Sequence, residues 1–550
     1  MDDFYSKHIF IASFKLENNS RDIISDNVWK EDFIDDVNTV GELVDNYANY
    51  NYFNKQARNL IFNYKKNNPD KGDSKVVNYK FSPEDLNGDF KYIINVNKEK
   101  TYELNLDKII LKEYEIANEK IFLMMIYVTN NDYDSLSDIK NINQYGRRLY
   151  SPWIPLDLGN GINTECPDDL QIHIGKYKIY SNYEKSGKVD LNYKDEEIFK
   201  YNFDDKNKYK SYSERLNFIR QKEVNDKNDK NDKNDKNDKN DKNDNSIIDN
   251  RRESYLIRNI LNYKNESKDE KIEIELINPD RMYVGFYVKN FLIGRIKKYS
   301  SEKQEYSTEK QKYSSEKQEY STEKQKYLTE KQGYAYLYDD SLSDQLYAIA
   351  YIDGGDATCQ SKVMRKKLLQ ETIYDRWIDW GTIHTVTHNG FGCIASEGAP
   401  YDSVIMPFLT EYMEMMALVL LQRNLLLEFH IEAKDLSIQF DSEELENLQK
   451  RYVKFKTQVL LFEVTPQEQG YEIYRLMQKQ LYIDEEKEKL DDIMNSLYEV
   501  ANVKHSIELN KKIRRLTIIG VVVAIISLII NFEPVKKLII KLVCNIINLT

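Results

Sequence analysis

The hydrophobic pattern of this chain begins as short alternating runs, passes through two polar repeats, turns helical, and ends in one long uncharged stretch. Residues 8–16, HIFIASFKL, alternate in part as a strand does, and a helical spacing follows at 39–64. Residues 90–96 and 101–106 predict strands. Residues 121–129, IFLMMIYVT, are apolar throughout, which predicts a central strand buried on both faces. Further on, 254–262 predicts a helix, 282–288, 291–296 and 345–352 predict strands, and 361–380 predicts a helix. From Val404 the pattern is helical: a strongly apolar helix over 406–437, a second capped by Asp441 or Ser442 and running to about Val464, and a third from Gln467 that meets no proline before Pro534. Unbroken to Ile530, that third helix would be a rod of roughly 95 Å. Leu490, Ile493, Leu497, Val500 and Ile507 form a narrow stripe along it, of the width that suits packing against identical neighbours.

Residues 516–532, LTIIGVVVAIISLIINF, contain no charge and would span roughly 25 Å as a helix, the low end of what a bilayer core requires. Lys511, Lys512, Arg514 and Arg515 stand at the N-terminal edge of the run, so the positive-inside rule places that end, and the chain before it, on the cytoplasmic side of a cell membrane. A buried core helix is the competing reading. After Glu533 and Pro534 a second apolar segment, 535–549, carries Lys536, Lys537 and Lys541, which suits either a return span or an amphipathic helix lying in the headgroups. A hairpin is the reading adopted.

Composition adds limits. The 550 residues suffice for two or three domains, and 31% charged with 12% aromatic residues describes a folded acidic protein. A net charge of −12 argues against a nucleic-acid scaffold, and no direct nucleic-acid binding is expected. Cys166, Cys359, Cys393 and Cys544 lie too far apart in sequence to suggest a disulfide framework or a zinc site. Residues 225–244 repeat the tripeptide NDK with nothing apolar, which predicts a flexible linker. A seven-residue repeat beats on Tyr299, Tyr306, Tyr313, Tyr320 and Tyr327 with one apolar position per unit, too few for a coiled coil, and predicts an expanded loop. The chain thus divides into an N-terminal α/β region (1–224), the NDK linker (225–245), the second part of the α/β region (246–298 and 334–400), the repeat insertion (299–333), a helical stalk region (401–515) and the membrane segments (516–550). The expected class is α+β: a large mixed α/β cytoplasmic domain, a three-helix region with a long stalk helix, and a C-terminal transmembrane hairpin.

Candidate chemistry is sparse. Gly146 permits a tight turn before Arg147 and Arg148, and Tyr150 and Trp153 offer ring faces beside those two planar donor forks. The set suits a phosphate with an attached base, although on composition alone a solvated arginine pair beside a packed tryptophan is the plainer reading. His384 and His388 stand four apart and would share one face of a helix, but no glutamate follows the first, so hydrogen-bonded structural histidines are expected and a ligand contact is the alternative. The absence of a phosphate-cradling glycine loop, a zinc-protease pattern, a nucleophile elbow and a Cys-His pairing speaks against an enzyme.

Three successive helices, the last a long stalk ending in a basic belt, then a membrane helix, a very short loop and a second apolar segment, together resemble the CorA family of divalent-cation channels. In that family a pentamer of such stalks lines a pore, and a Gly-Met-Asn signature at the end of the first membrane helix binds the hydrated ion. Here residues 516–519 look like the start of that helix, while Ile529 and Ile530 stand where Gly and Met would be. Only Asn531 carries over, with Glu533 beside it at the expected pore mouth. The resemblance covers roughly residues 404–550. The oversized N-terminal part, the degenerate signature and the pair Arg147 and Arg148 are similar to the CorA-like branch associated with type III CRISPR antiviral defence, which senses a nucleotide second messenger.

The resemblance implies a homopentameric cation channel in a lipid bilayer, gated by a small nucleotide bound to the cytoplasmic domain, with no cofactor beyond a transported or regulatory divalent cation such as Mg2+. A constitutive Mg2+/Co2+ transporter is the first alternative, with Asp484, Glu485, Glu486, Asp491 and Asp492 as regulatory cation sites against a solvated helix face. A membrane-anchored scaffold without a pore is the second.

Overall fold

The structure is a computed structural model that describes residues 4–16, 28–37, 39–65, 75–82, 90–96, 100–117, 119–149, 169–175, 177–180, 255–261, 263, 274–278, 281–289, 340–353, 358–396, 398–438, 441–531 and 533–547. Both repeats, 225–244 and 299–333, and the strand expected at 291–296 lie outside the described residues. The architecture is mixed α/β, and the chain falls into two compact units: Met1–Leu421 with Leu461–Leu481, and Gln422–Leu460 with Tyr482–Thr550.

The first unit is built on a 13-stranded sheet. Strands β1 (Ser6–Leu16), β2 (Trp29–Glu31), β3 (Val76–Phe81), β4 (Phe90–Val96), β5 (Lys100–Ile116) and β6 (Glu119–Asn130) are followed by β7 (Asp169–Ile174), β8 (Tyr177–Tyr180), β9 (Ile274–Leu276) and β10 (Tyr283–Lys289), then β11 (Ile373–Tyr374), β12 (Thr382–Val386) and β13 (Gly390–Ala395). Their order along the sheet is β11-β12-β13-β10-β1-β6-β5-β4-β7-β8, with β3 also on β5, β2 on β3 and β9 on β1. Every pairing is antiparallel except β10 with β13, which is parallel. The run at 121–129 is the central strand expected, with Phe122, Met124 and Ile126 facing one core and Met125 the other face.

Helices cover both faces. Leu136–Gly146, Tyr255–Leu261, Asp340–Ala350 and Lys362–Thr372 pack on the face that carries Phe10, Phe14, Phe122 and Phe286. Val40–Tyr52, opened by the capping box of Thr39 and Glu42, and Lys55–Ile61, capped by Asn54, lie toward the other face, where Met413 sits against Gly285.

Four expectations need correction. Residues 345–352 are not a strand but the end of helix Asp340–Ala350, because Leu342, Leu346 and Ile349 recur at helical spacing and all three are buried. The helix expected over 361–380 stops at Thr372, where Ile373 leaves for an extended conformation and joins β11. The rod from Gln467 is two helices, Glu468–Gln480 and Ile483–Asn531, broken where Tyr482 takes a φ of 58° and turns the chain through the left-handed region. His384 and His388 share no helix: the first lies on β12 and the second in the turn after it.

Among the described residues one helical stretch, Tyr401–Ile438, is long and apolar enough to cross a membrane. Its most apolar window has a mean hydropathy of 1.6 and is 72% buried within the protein, the placement of a core helix. Its first turns are π-helical, at Tyr401–Ile405 and Phe408–Tyr412, before the α-helix Met413–Ile438 begins.

The second unit is helical. Asp441 caps Ser442–Gln458 as expected, accepting from the N–H groups of Glu443 and Glu444, and the helix ends six residues short of Val464. Phe429 stacks edge-on against Tyr452, and Gln422 Nε2 donates to Val459 O at 2.7 Å. Leu490, Met494 and Leu497 of Ile483–Asn531 are buried. From Asn502 onward every described side chain of that helix is exposed, as is every one of Glu533–Ile547.

Candidate functional site

The predicted arginines lie at the C-terminal end of helix Leu136–Gly146. Ser135 caps the start of that helix by accepting from Asp138 N at 3.0 Å. Its other end is fixed by contact: a Cβ on Gly146 would lie 2.6 Å from the Phe10 ring, and Tyr92 OH donates to Gly146 O at 2.7 Å. Arg147 follows as the C-cap and is 2% exposed. Its Nη2 donates to Gln144 Oε1 at 2.9 Å, and the helix's terminal carbonyls favour a cation there.

The backbone then turns into a bridge. Met282 N donates to Arg147 O at 2.7 Å, and Arg148 pairs with Arg281 in an isolated antiparallel bridge. The bridge sets the backbone of a third arginine, at the entry to β10, beside that of Arg148. Arg281 has no distinguishing mark in the sequence. Only the bridge, which joins residues 133 apart, brings it to Arg148. Tyr150 and Trp153 lie outside the described residues, so the aromatic half of the candidate set is not placed.

Beside the arginines runs a buried polar chain. Asn130 Nδ2 donates to Ser6 Oγ at 2.9 Å, Ser6 Oγ lies 2.9 Å from His8 Nε2, and His8 Nδ1 lies 2.7 Å from Asn143 Oδ1. Burial pushes the His8 imidazole down to about 4, against the Asn143 bond that raises it, so the ring is neutral near pH 7. The network locks helix Leu136–Gly146 to β1 and thereby sets where Arg147 begins.

His384 is packed, not hydrogen-bonded. Neither ring nitrogen has a hydrogen-bond partner, and the rings of Trp377, Phe408 and Tyr412 lie 5.5 to 5.8 Å away, centroid to centroid. Burial pushes its pKa down to about 3. This corrects the expectation of a hydrogen-bonded His384, which acts instead as one more aromatic ring in an apolar cluster. His388 is exposed.

At the other end of the chain, Asn531 closes its helix with Nδ2 3.3 Å from Ser527 Oγ, and Glu533 opens the next; both are exposed. The acidic positions of the stalk are largely engaged. Asp491 accepts from Tyr452 OH and Lys456 Nζ, each at 2.8 Å; burial would raise its carboxyl, but Lys456, Tyr452 and Lys487 outweigh that and hold it below its usual range. Glu486 meets Lys489 at 2.8 Å and His430 at 3.3 Å. Among the described residues no group of three or more His, Cys, Asp or Glu side chains could hold a metal ion.

Compared with known proteins, the chain matches no protein-family model, no curated protein and no solved structure.

Proposed function

We propose that this chain is a membrane-inserted, self-associating sensor, in which the C-terminal helices form a cation-conducting pore and the sheet domain binds a small anionic ligand of nucleotide type. One observation carries the membrane part: in helix Ile483–Asn531 the side chains of Leu516, Ile518, Ile519, Val521, Val522 and Val523 are all about half exposed or more, in an unbroken apolar run. Left in water, such a surface far exceeds the apolar patches that soluble monomers tolerate. Lys511, Lys512, Arg514 and Arg515, exposed at its edge, suit the cytoplasmic headgroup layer. Self-association is supported by Ile493, Val500, Val503 and Ile507, which stand exposed at heptad-like spacing on the same helix. The ligand would meet Arg147, Arg148 and Arg281, whose guanidinium forks match phosphate oxygens.

The amphipathic pattern of Glu533–Ile547 favours a second reading. Lys537, Lys541 and Asn545 fall on one side at 100° per residue and Ile539, Leu542 and Val543 on the other, with Lys536 beside Val543. Such a helix can lie in the headgroups of an anchored scaffold without a pore.

Ion flux through the purified chain in liposomes separates the readings, with magnesium and potassium in separate runs, with and without nucleotides. Flux that requires a nucleotide, and is lost in the double substitution Arg147→Ala, Arg148→Ala, is the expected result. Magnesium flux without any ligand favours a constitutive transporter, and no flux under any condition favours the scaffold.

A further inference from the structure

The sheet face opposite helix Leu136–Gly146 changes character toward one end of β3 and β5. Residues paired across antiparallel strands point to the same face, and the register sets Lys30 opposite Lys80, Lys80 opposite Ile110, and Lys108 opposite Tyr127. After the irregularity between Leu106 and Lys108, the two-residue period keeps Lys108, Ile110 and Lys112 together on that face. Four lysines therefore share one patch of sheet. Lys112 is covered and satisfied: Glu414 pairs with it at 2.8 Å, and Asn78 Oδ1 accepts from it at 3.3 Å. Lys30, Lys80 and Lys108 are exposed, and among the described residues none of them makes a side-chain hydrogen bond or an ion pair. Asp32 continues the same ladder through its N–H to Asn78 O, and no lysine comes within ion-pair distance of its carboxylate.

This crowding is not what the chain supplies by default. Acids outnumber bases 91 to 79, and lysine directly opposite lysine costs stability in a bare sheet. Lys108 gives a second sign. Its Nζ stands 4.4 Å from the centroid of the Tyr127 ring. Surrounding protein desolvates the ammonium and lowers its pKa; Glu414 and Asp32 pull the other way, and Lys80 and Lys112 lower it further.

We propose that Lys30, Lys80 and Lys108, with Tyr127 under Lys108, form a binding site for a phosphate-bearing polyanion, separate from Arg147, Arg148 and Arg281. Clustered ammonium groups act as point charges with rotatable donors, which suits several phosphate oxygens of variable geometry. The site belongs to the sheet alone and stands whether or not the chain conducts ions.

The test is calorimetric titration of inorganic tripolyphosphate into the full-length chain in a zwitterionic detergent. Wild type is expected to bind, more weakly as salt rises. The double substitution Lys80→Ala, Lys108→Ala should weaken binding about tenfold or more, equivalent to about 1.4 kcal/mol, while Lys367→Ala, at an exposed lysine of helix Lys362–Thr372, should leave it within about twofold. Without the anion the double variant should melt at the wild-type temperature or above, since a like-charge contact is gone; a marked fall would show a structural role and overturn the assignment. So would absent wild-type binding, or equal affinity in the double variant. Adding phosphatidylglycerol to the micelles identifies the source: unchanged tripolyphosphate affinity assigns a soluble phosphate, and competitive loss assigns a lipid headgroup.

Discussion

Lys112 Nζ lies 2.8 Å from Glu414 Oε2, and the lysine is 2% exposed. The pair ties the middle of the longest strand to the first turn of helix Met413–Ile438. A lysine taken out of water is tolerated only while its counter-charge remains, so Glu414→Ala should destabilise the protein by about 3–5 kcal/mol. Replacing both partners, Lys112→Met with Glu414→Leu, should recover most of that loss, since neither charge then needs solvating. Urea denaturation followed by tryptophan fluorescence decides the point. A single Glu414→Ala variant as stable as wild type would show that the pair contributes nothing.

Helix Leu136–Gly146 approaches β1 so closely that Gly146 has no room for a methyl group: its Cβ would stand 2.6 Å from Phe10 Cζ and 3.0 Å from Ile94 Cδ1. Gly146→Ala should therefore cost about 1–3 kcal/mol through overpacking, and a second change, Phe10→Leu, should restore part of it. The same variant should disturb Arg147, the next residue, and weaken any anion held there. Thermal unfolding of the single and double variants checks the packing; no rescue by Phe10→Leu would locate the clash elsewhere.

Much of the sheet is legible in sequence because its central strands are buried. Residues 121–129 are apolar without interruption, and at 90–96 the expected strand matches the observed one end to end. Residues 345–352 mislead because seven successive apolar positions after Gln345 satisfy a strand and a helix alike; Leu342, just upstream, completes the helical spacing with Leu346 and Ile349. The break at Tyr482 has no glycine or proline to announce it, since a tyrosine takes the left-handed conformation there. Arg147 and Arg148 can be picked from composition, but Arg281 cannot, since a bridge between distant segments leaves no local mark.

Two buried histidines make stability depend on pH. Folding holds His8 near 4 and His384 near 3, against an ordinary value of 6.5, so the unfolded chain binds more protons than the native one below 6.5. Their neutral forms cost nothing above that value. As pH falls, each removes up to about 1.4 kcal/mol per pH unit, His8 down to about pH 4 and His384 down to about pH 3. His384→Phe should keep the aromatic cluster with Trp377 and Tyr412 and flatten the acid limb of a stability profile between pH 6.5 and 4. An identical slope in the variant would mean that His384 becomes charged within the folded state.

Val522 stands within the uncharged run and is 47% exposed, on a helix whose described side chains are all exposed from Asn502 onward. If lipid covers that run, an aspartate there meets hydrocarbon, at about 2.5–3.5 kcal/mol near a helix centre. If the run is wetted or covered by another part of the protein surface, the same change costs far less or improves solubility. Val522→Asp should therefore shift the full-length chain from the carbonate-resistant membrane fraction toward the soluble fraction, while Val453→Asp, at an exposed position on helix Ser442–Gln458, should leave the partition unchanged. Equal resistance in both variants would remove residues 516–532 as the anchor and with them the pore reading, leaving the lysine and arginine sites to be judged on their own binding.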